Sequence, residues 1–179
     1  MVPKHSKRDF DVIIVGGGPA GLFAAWHLAV HSTLSVLVVD KGRQPLNRRC
    51  PIGQGEECLK CRPCNILAGL GGAGLFSDGK LNFIPVLGKT DLTQFMPLGE
   101  AQDLIQKTES VFNHYGMDGP VFPTDMDTAR EIRKNALRYG VDLLIIRQKH
   151  LGSDTLPGHI SAMVEDLKGR GVTFHTSEE

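Results

Sequence analysis

The stretch Asp11–Gly21, DVIIVGGGPAG, leaves few folds open to this chain of 179 residues. Val12–Val15 is an unbroken apolar run too short for a helix, and it predicts a strand buried on both faces of a sheet. Glycines end the run at Gly16, Gly18 and Gly21, in G-x-G-x-x-G spacing. That spacing permits a tight turn, then close approach of backbone to a pyrophosphate, then close packing of a helix on the strand. Pro19 and Ala20 suit the first helical turn, where N–H groups lacking an intrahelical acceptor point at an anion. The competing interpretation is a glycine turn that binds nothing, and the decision rests on whether the remainder of a βαβ unit follows.

It does. Ala20–His31 runs without a breaker and carries Leu22, Phe23, Ala25, Trp26 and Ala29, which predicts a helix packed on a sheet. Ser32 and Thr33 mark a turn, and Ser35–Val39 reads as a second, parallel strand closed by Asp40. Asp40 stands about 20 residues beyond the turn, where its carboxylate accepts from ribose hydroxyls and repels a 2′-phosphate. The expected ligand is therefore FAD or NAD rather than NADP. The string GGGPAG, followed by Asp40, Lys41 and Gly42, resembles the flavoprotein version of this fingerprint, which puts FAD first and adds Lys41 to the cofactor-binding candidates.

With 41% hydrophobic and 22% charged residues, the chain has the composition of about one globular domain. Its formal net charge of zero gives no global field to recruit nucleic acid or an anionic membrane, and neither partner is expected. Residues 1–9 form a short basic tail without an apolar core, and no later run approaches the length of a membrane span, so a cytoplasmic location is expected. Oligomeric state is not legible. The four cysteines are then expected to be thiols or metal ligands rather than a disulfide framework.

From about residue 43 to residue 99 the pattern becomes irregular and rich in Gly, Pro and Cys, and long loops in compact domains are usually functional. Cys58, Cys61 and Cys64 lie in C-x-x-C-x-x-C spacing, with Cys50-Pro51 upstream. Three readings stay open: an iron–sulfur or zinc site, a redox-active dithiol facing a flavin, and cysteines that only pack. Gly69–Asn82, GLGGAGLFSDGKLN, has too many glycines for helix or strand. It predicts a loop whose backbone, at Gly72, Gly74 and Gly79 among others, approaches a ligand, the alternative being a flexible linker.

Taken together, Cys50-Pro51, the cysteine triplet with Pro63, and GGAGLFSDGKL resemble a largely uncharacterised family of bacterial FAD-dependent dehydrogenases, over Asp11–Gly88 and again around Arg147–Phe174. The resemblance implies a Rossmann-like, three-layer α/β fold with a parallel sheet. It also implies that Ser77, Asp78 and Lys80 approach the cofactor, with Lys80 stabilising an anionic reduced flavin; from the residues alone, Lys80 is equally a solvated surface charge.

Further on, Glu100–Tyr115 and Asp125–Tyr139 are expected to be scaffold helices separated by a turn at Asp118, Gly119 and Pro120. His114 and His150 are weak candidates for acid–base groups. Val141–Ile146 reads as a strand, and Ser153 or Asp154 as the cap of a helix whose apolar face is Ile160, Met163, Val164 and Leu167. Val172–His175 reads as a strand, which the resemblance returns to the cofactor-binding sheet. The family pattern continues past Glu179 into a substrate domain and a further flavin-holding segment, so residues 10–179 are expected to be a partial FAD-binding domain. Two functions follow: an FAD-dependent oxidoreductase, or its cofactor-binding portion, acting on an unknown small molecule; or a non-catalytic nucleotide- or partner-binding remnant.

Overall fold

The computed structural model describes residues 9–152 and 154–177, which leaves most of the basic N-terminal tail, and the proposed Ser153 cap, outside the described residues. In chain order the elements are β1 (Val12–Val15), α1 (Pro19–His31), β2 (Val36–Asp40), β3 (Lys80–Asn82), β4 (Val86–Leu87), β5 (Thr90–Asp91), α2 (Leu98–His114), β6 (Val121–Phe122), α3 (Met126–Leu137), β7 (Gln148–His150), α4 (Leu156–Gly169) and β8 (Thr173–Thr176). The chain is mixed α/β. It divides into two compact units, residues 78–153 forming one and the segments before and after them the other.

The first unit is built on a three-stranded parallel sheet in the order β1–β2–β8. Val12 pairs with Val36 and Val15 with Val39, while Leu37 pairs with Thr173 and Asp40 with Thr176. The last strand thus returns beside β2, as expected. A parallel pair needs a crossover, and α1 supplies it between β1 and β2. Leu22 and Ala25 are the residues of α1 that are fully enclosed, against β2 and α4. The expected apolar face of α4 is the heart of this core: Ile160, Met163, Val164 and Leu167 are all buried. Pro157 in its first turn and Thr155 at its N-cap begin that helix, not a side-chain bond from Asp154.

Central β2 buries Val36, Leu37 and Val38, but β1 does not have two covered faces. Ile13 and Val15 are 60% and 87% exposed, because β1 lies at an edge and no element among the described residues packs over that side. The apolar run identified the strand correctly and overstated its burial.

The second unit holds an antiparallel sheet in the order β3–β7–β6, the β4–β5 ribbon, α2 and α3. Asp125 caps α3 through its carboxylate, which accepts from the N–H groups of Asp127 and Thr128. The strand expected at Val141–Ile146 is absent; the chain is irregular there and pairs only from Gln148. Val141 and Leu144 are largely exposed, whereas residues 148–150 find partner edges on both sides, in β3 and β6. The same pairing turns Lys80–Asn82, expected to be loop, into a strand.

This unit is organised around a charge cluster in which Glu109 and Lys149 are buried and Arg147 reaches the surface. Glu109 on α2 accepts from Arg147 Nη1 and Nη2 at 2.5 and 2.9 Å, and lies 3.2 Å from Lys149 Nζ. Lys149, 2% exposed, also donates to Asn113 Oδ1, and the rings and cations meet where Arg147 and Lys149 stand over Phe83. The Arg147 hydrogen bonds foremost hold the Glu109 carboxyl below the usual carboxylate range, against the opposing effect of burial.

Candidate functional site

The glycines of the β1–α1 turn divide into two kinds. A Cβ on Gly21 would stand 1.9 Å from the Gly16 carbonyl oxygen and 3.3 Å from Ile14 Cγ2, so Gly21 exists for helix-on-strand packing. A Cβ on Gly18 would meet nothing nearer than Gly72 Cα at 3.8 Å, and its backbone, at φ −71° and ψ −177°, suits any residue. Folding does not require glycine at position 18. The space in front of it is open, and a ligand that comes close to the backbone is a physical reason to keep it so.

That space faces the start of α1. Gly18 is the N-cap and makes no side-chain capping bond, Pro19 occupies the first helical position, and no acidic residue sits in the first turn. The N-terminal N–H groups and the positive end of the helix dipole are therefore presented without a built-in anion. Gly16, at φ +100°, makes the preceding turn, and its N–H donates to Val39 O at 2.7 Å, fixing the turn to the end of β2.

Asp40 lies beside this turn. Its Oδ2 accepts from the Gly17 N–H at 2.8 Å and its Oδ1 from the Gly42 N–H at 2.7 Å. The carboxylate is half-buried and held between two backbone donors, and each oxygen keeps a lone pair for a further hydroxyl. Lys41, next in sequence, is exposed.

The glycine-rich loop comes to the same place. Gly71 N–H donates to Gly17 O at 2.8 Å, and the side chain of Leu70, fully buried, packs on Gly17. At Gly72, with φ +64°, a Cβ would press to 3.1 Å from Pro19 Cδ and 3.2 Å from Gly18 Cα. Gly72 thus forms one wall of the open space. Beyond it, Ala73–Phe76 makes a single 3-10 turn with Leu75 buried, and Gly74 and Ser77 are exposed.

The loop is fixed by a residue that sequence reasoning missed. Arg48 is 4% exposed, and its guanidinium donates to the carbonyl oxygens of Asn65, Ile66, Gly69, Leu70 and Gly72 at 2.7 to 3.3 Å. Burial pulls its pKa down, with Asp40 and Cys64 opposing that. In the sequence Arg48 is one of an arginine pair before Cys50, indistinguishable from a surface charge; five carbonyl partners from a segment some 20 residues away exist only in the folded chain.

Four candidates lie within the second unit. Gly79, at φ +73°, has no room for a Cβ because Gly152 O would stand 2.5 Å away, and Lys80 Nζ is paired with Asp78 at 2.7 Å on the surface. His114 packs edge-on against Tyr115, and His150 pairs with Lys80 in the sheet.

The cysteines do not form the metal centre allowed by their spacing. Among the described residues no group of three or more His, Cys, Asp or Glu side chains is placed to hold a metal ion, so an iron–sulfur or zinc site has no support here. Cys58, Cys61 and Cys64 are exposed and Cys50 is half-buried, all as free thiols. The segment is anchored by Arg48, and by Asn65 Nδ2 donating to Arg49 O, rather than by shared ligation.

Comparison with known proteins finds similarity over the segment that holds the turn and Asp40. The sequence model of the FAD dependent oxidoreductase family matches residues 11–47. An uncharacterized protein of Methanosarcina barkeri is 46% identical over 48 residues, which is 27% of this chain and 12% of that protein. Among solved structures, L-amino acid deaminase from Proteus vulgaris aligns with a TM-score of 0.42 at 16% identity, over 96% of this chain and 40% of that one. THI4 of Thermovibrio ammonificans aligns with a TM-score of 0.40 at 13% identity, over 93% and 38%. Likenesses this distant carry no argument about activity, and the chain spans well under half the length of each of these proteins. Over residues 11–47, where the strand, the glycine turn, the helix and Asp40 lie, the chain is similar to the FAD dependent oxidoreductase family.

Proposed function

We propose that the first unit is the dinucleotide seat of an FAD-dependent oxidoreductase, moving hydride or electrons between a small-molecule substrate and FAD. The observation that carries this is the open space at Gly18, set before an uncapped helix start and walled by Gly72. The residues present fit the ADP half of FAD. Gly16, Gly18, Pro19, Ala20 and Gly21 form the pyrophosphate cradle, in which backbone N–H groups neutralise the phosphates and Gly18 leaves room for them. Asp40, oriented by Gly17 and Gly42, accepts from the ribose hydroxyls, and Lys41 borders that end. Gly72 walls the space for the phosphates, and Gly74 and Ser77 lie on the exposed continuation of its loop.

FAD, when bound, supplies the two-electron redox centre. What the chain contributes is affinity and position: Arg48 keeps the glycine loop against the turn, so the cradle is formed before the ligand arrives. Gly79 and Lys80 are not included, since Gly152 accounts for the missing Cβ of the first and Asp78 pairs the ammonium of the second.

The test is the visible spectrum of the purified chain, with titration by FAD and competition by ADP. Binding of FAD that ADP displaces is the expected result. A folded chain that binds neither would refute the assignment, and reversible bleaching of tightly held flavin by a reductant would extend it to redox activity.

A further inference from the structure

The four cysteines, left over from the dinucleotide seat, share one cavity. Cys50, Cys58, Cys61 and Cys64 line a hollow of about 260 Å³ together with the cations Arg49, Lys60 and Arg62. Cys61 and Arg62 also line an adjoining cavity of about 640 Å³ that reaches Lys41 and Arg43. No carboxylate among the described residues lines either cavity, and none of these five cations has an ion-pair partner among the described residues. Uncompensated positive charge around thiols draws in anions.

Within the cavity one thiol is set apart. Lys60, at φ +52°, bends the 58–61 loop so that its N–H donates to Cys58 Sγ at 3.4 Å. That sulfur has a backbone donor aimed at it, and Cys58 is exposed to a reagent entering from solvent. Cys61 stands at the C-x-x-C spacing that lets a second thiol close on the first.

We propose that this cavity is a thiol–disulfide exchange site for small anionic disulfides, with Cys58 the attacking thiol and Cys61 the resolving one. Oxidised glutathione represents the class of co-reactant. Cys58 Sγ attacks one sulfur of the disulfide, the S–S bond breaks, and one glutathione leaves as thiolate, giving a mixed disulfide on Cys58. Cys61 Sγ then attacks Cys58 Sγ and releases the second glutathione. The cysteine pair loses two electrons, the co-reactant gains them, and the two thiol protons pass to the two departing thiolates. This proposal is independent of FAD, and it requires only the first unit's loop as it stands.

The test treats the full chain with oxidised glutathione, and in parallel with the neutral disulfide of 2-mercaptoethanol, followed by thiol counting and peptide mapping by mass spectrometry. The expected product is a Cys58–Cys61 disulfide with no retained glutathione. Cys61→Ser should instead hold glutathione on Cys58, and Cys58→Ser should abolish the reaction. The triple variant Arg49→Gln, Lys60→Gln, Arg62→Gln should lower the rate with oxidised glutathione, relative to the rate with the neutral reagent, by roughly tenfold. An unchanged ratio in a folded triple variant overturns the proposal, as does Cys61→Ser protein that retains no glutathione, or a native chain whose thiols stay unreacted.

Discussion

Gly18 and Gly21 sit three residues apart in one turn, and the structure assigns them opposite consequences on substitution. In Gly18→Val the new Cβ meets its nearest heavy neighbour, Gly72 Cα, at 3.8 Å, an ordinary contact, on extended backbone that valine accepts without strain. Folding stability should change by no more than about 0.5 kcal/mol, the usual range for a substitution that touches nothing critical. The added methyls occupy the space before the helix start, so a bound pyrophosphate loses one charge-assisted hydrogen bond or more, about 1.5–3 kcal/mol each, and affinity for ADP or FAD falls by roughly 10- to 150-fold. Gly21→Ala behaves the other way. Its Cβ would lie 1.9 Å from Gly16 O, a backbone atom that cannot move without opening the turn, and overpacking of this kind costs about 1–3 kcal/mol or more. Urea unfolding followed by circular dichroism gives the stabilities, and calorimetric titration with ADP gives the affinities. The reasoning is refuted if Gly18→Val binds ADP as tightly as the native chain while folded, or if it unfolds as readily as Gly21→Ala.

Three further outcomes are expected. Arg48→Met removes a donor shared by five carbonyl oxygens, of which Gly69 O and Gly72 O keep a backbone N–H, and should destabilise the first unit by about 3 kcal/mol or more, with residues 65–72 becoming the earliest site of limited proteolysis; a native-like cleavage pattern would show that the loop docks without it. Asp40→Asn confronts Gly17 or Gly42 N–H with an amide NH₂, so it should lower stability by about 1–3 kcal/mol and also weaken ADP binding, whereas an effect on binding alone would place the carboxylate's partners elsewhere. Glu109 has a folded-state pKa held down by Arg147, so its contribution to the second unit is complete above the unfolded carboxyl pKa of about 4.3 and is lost as pH falls through the lower folded value. Glu109→Gln should flatten that acid limb of the stability profile, and an unaltered limb would assign it to other carboxylates.

The sequence by itself determined what depends on neighbours in the chain. A β-branched apolar run, a turn of spaced glycines, a breaker-free helix and a strand closed by Asp40 are local features, and α1, β2 and the apolar face of α4 formed where period and punctuation placed them. Tertiary structure decided everything that needed a distant partner. Val141–Ile146 has the composition of a strand, but pairing edges are available only at residues 148–150. Apolar character could not tell that β1 would lie at an edge with Ile13 and Val15 uncovered. Cysteine spacing permits several chemistries, and only the positions of Arg49, Lys60 and Arg62 around the thiols favour one of them. Arg48 is the clearest case: a guanidinium reads as surface charge until long-range folding brings five carbonyls to it, from a segment whose irregular backbone turns them to one point.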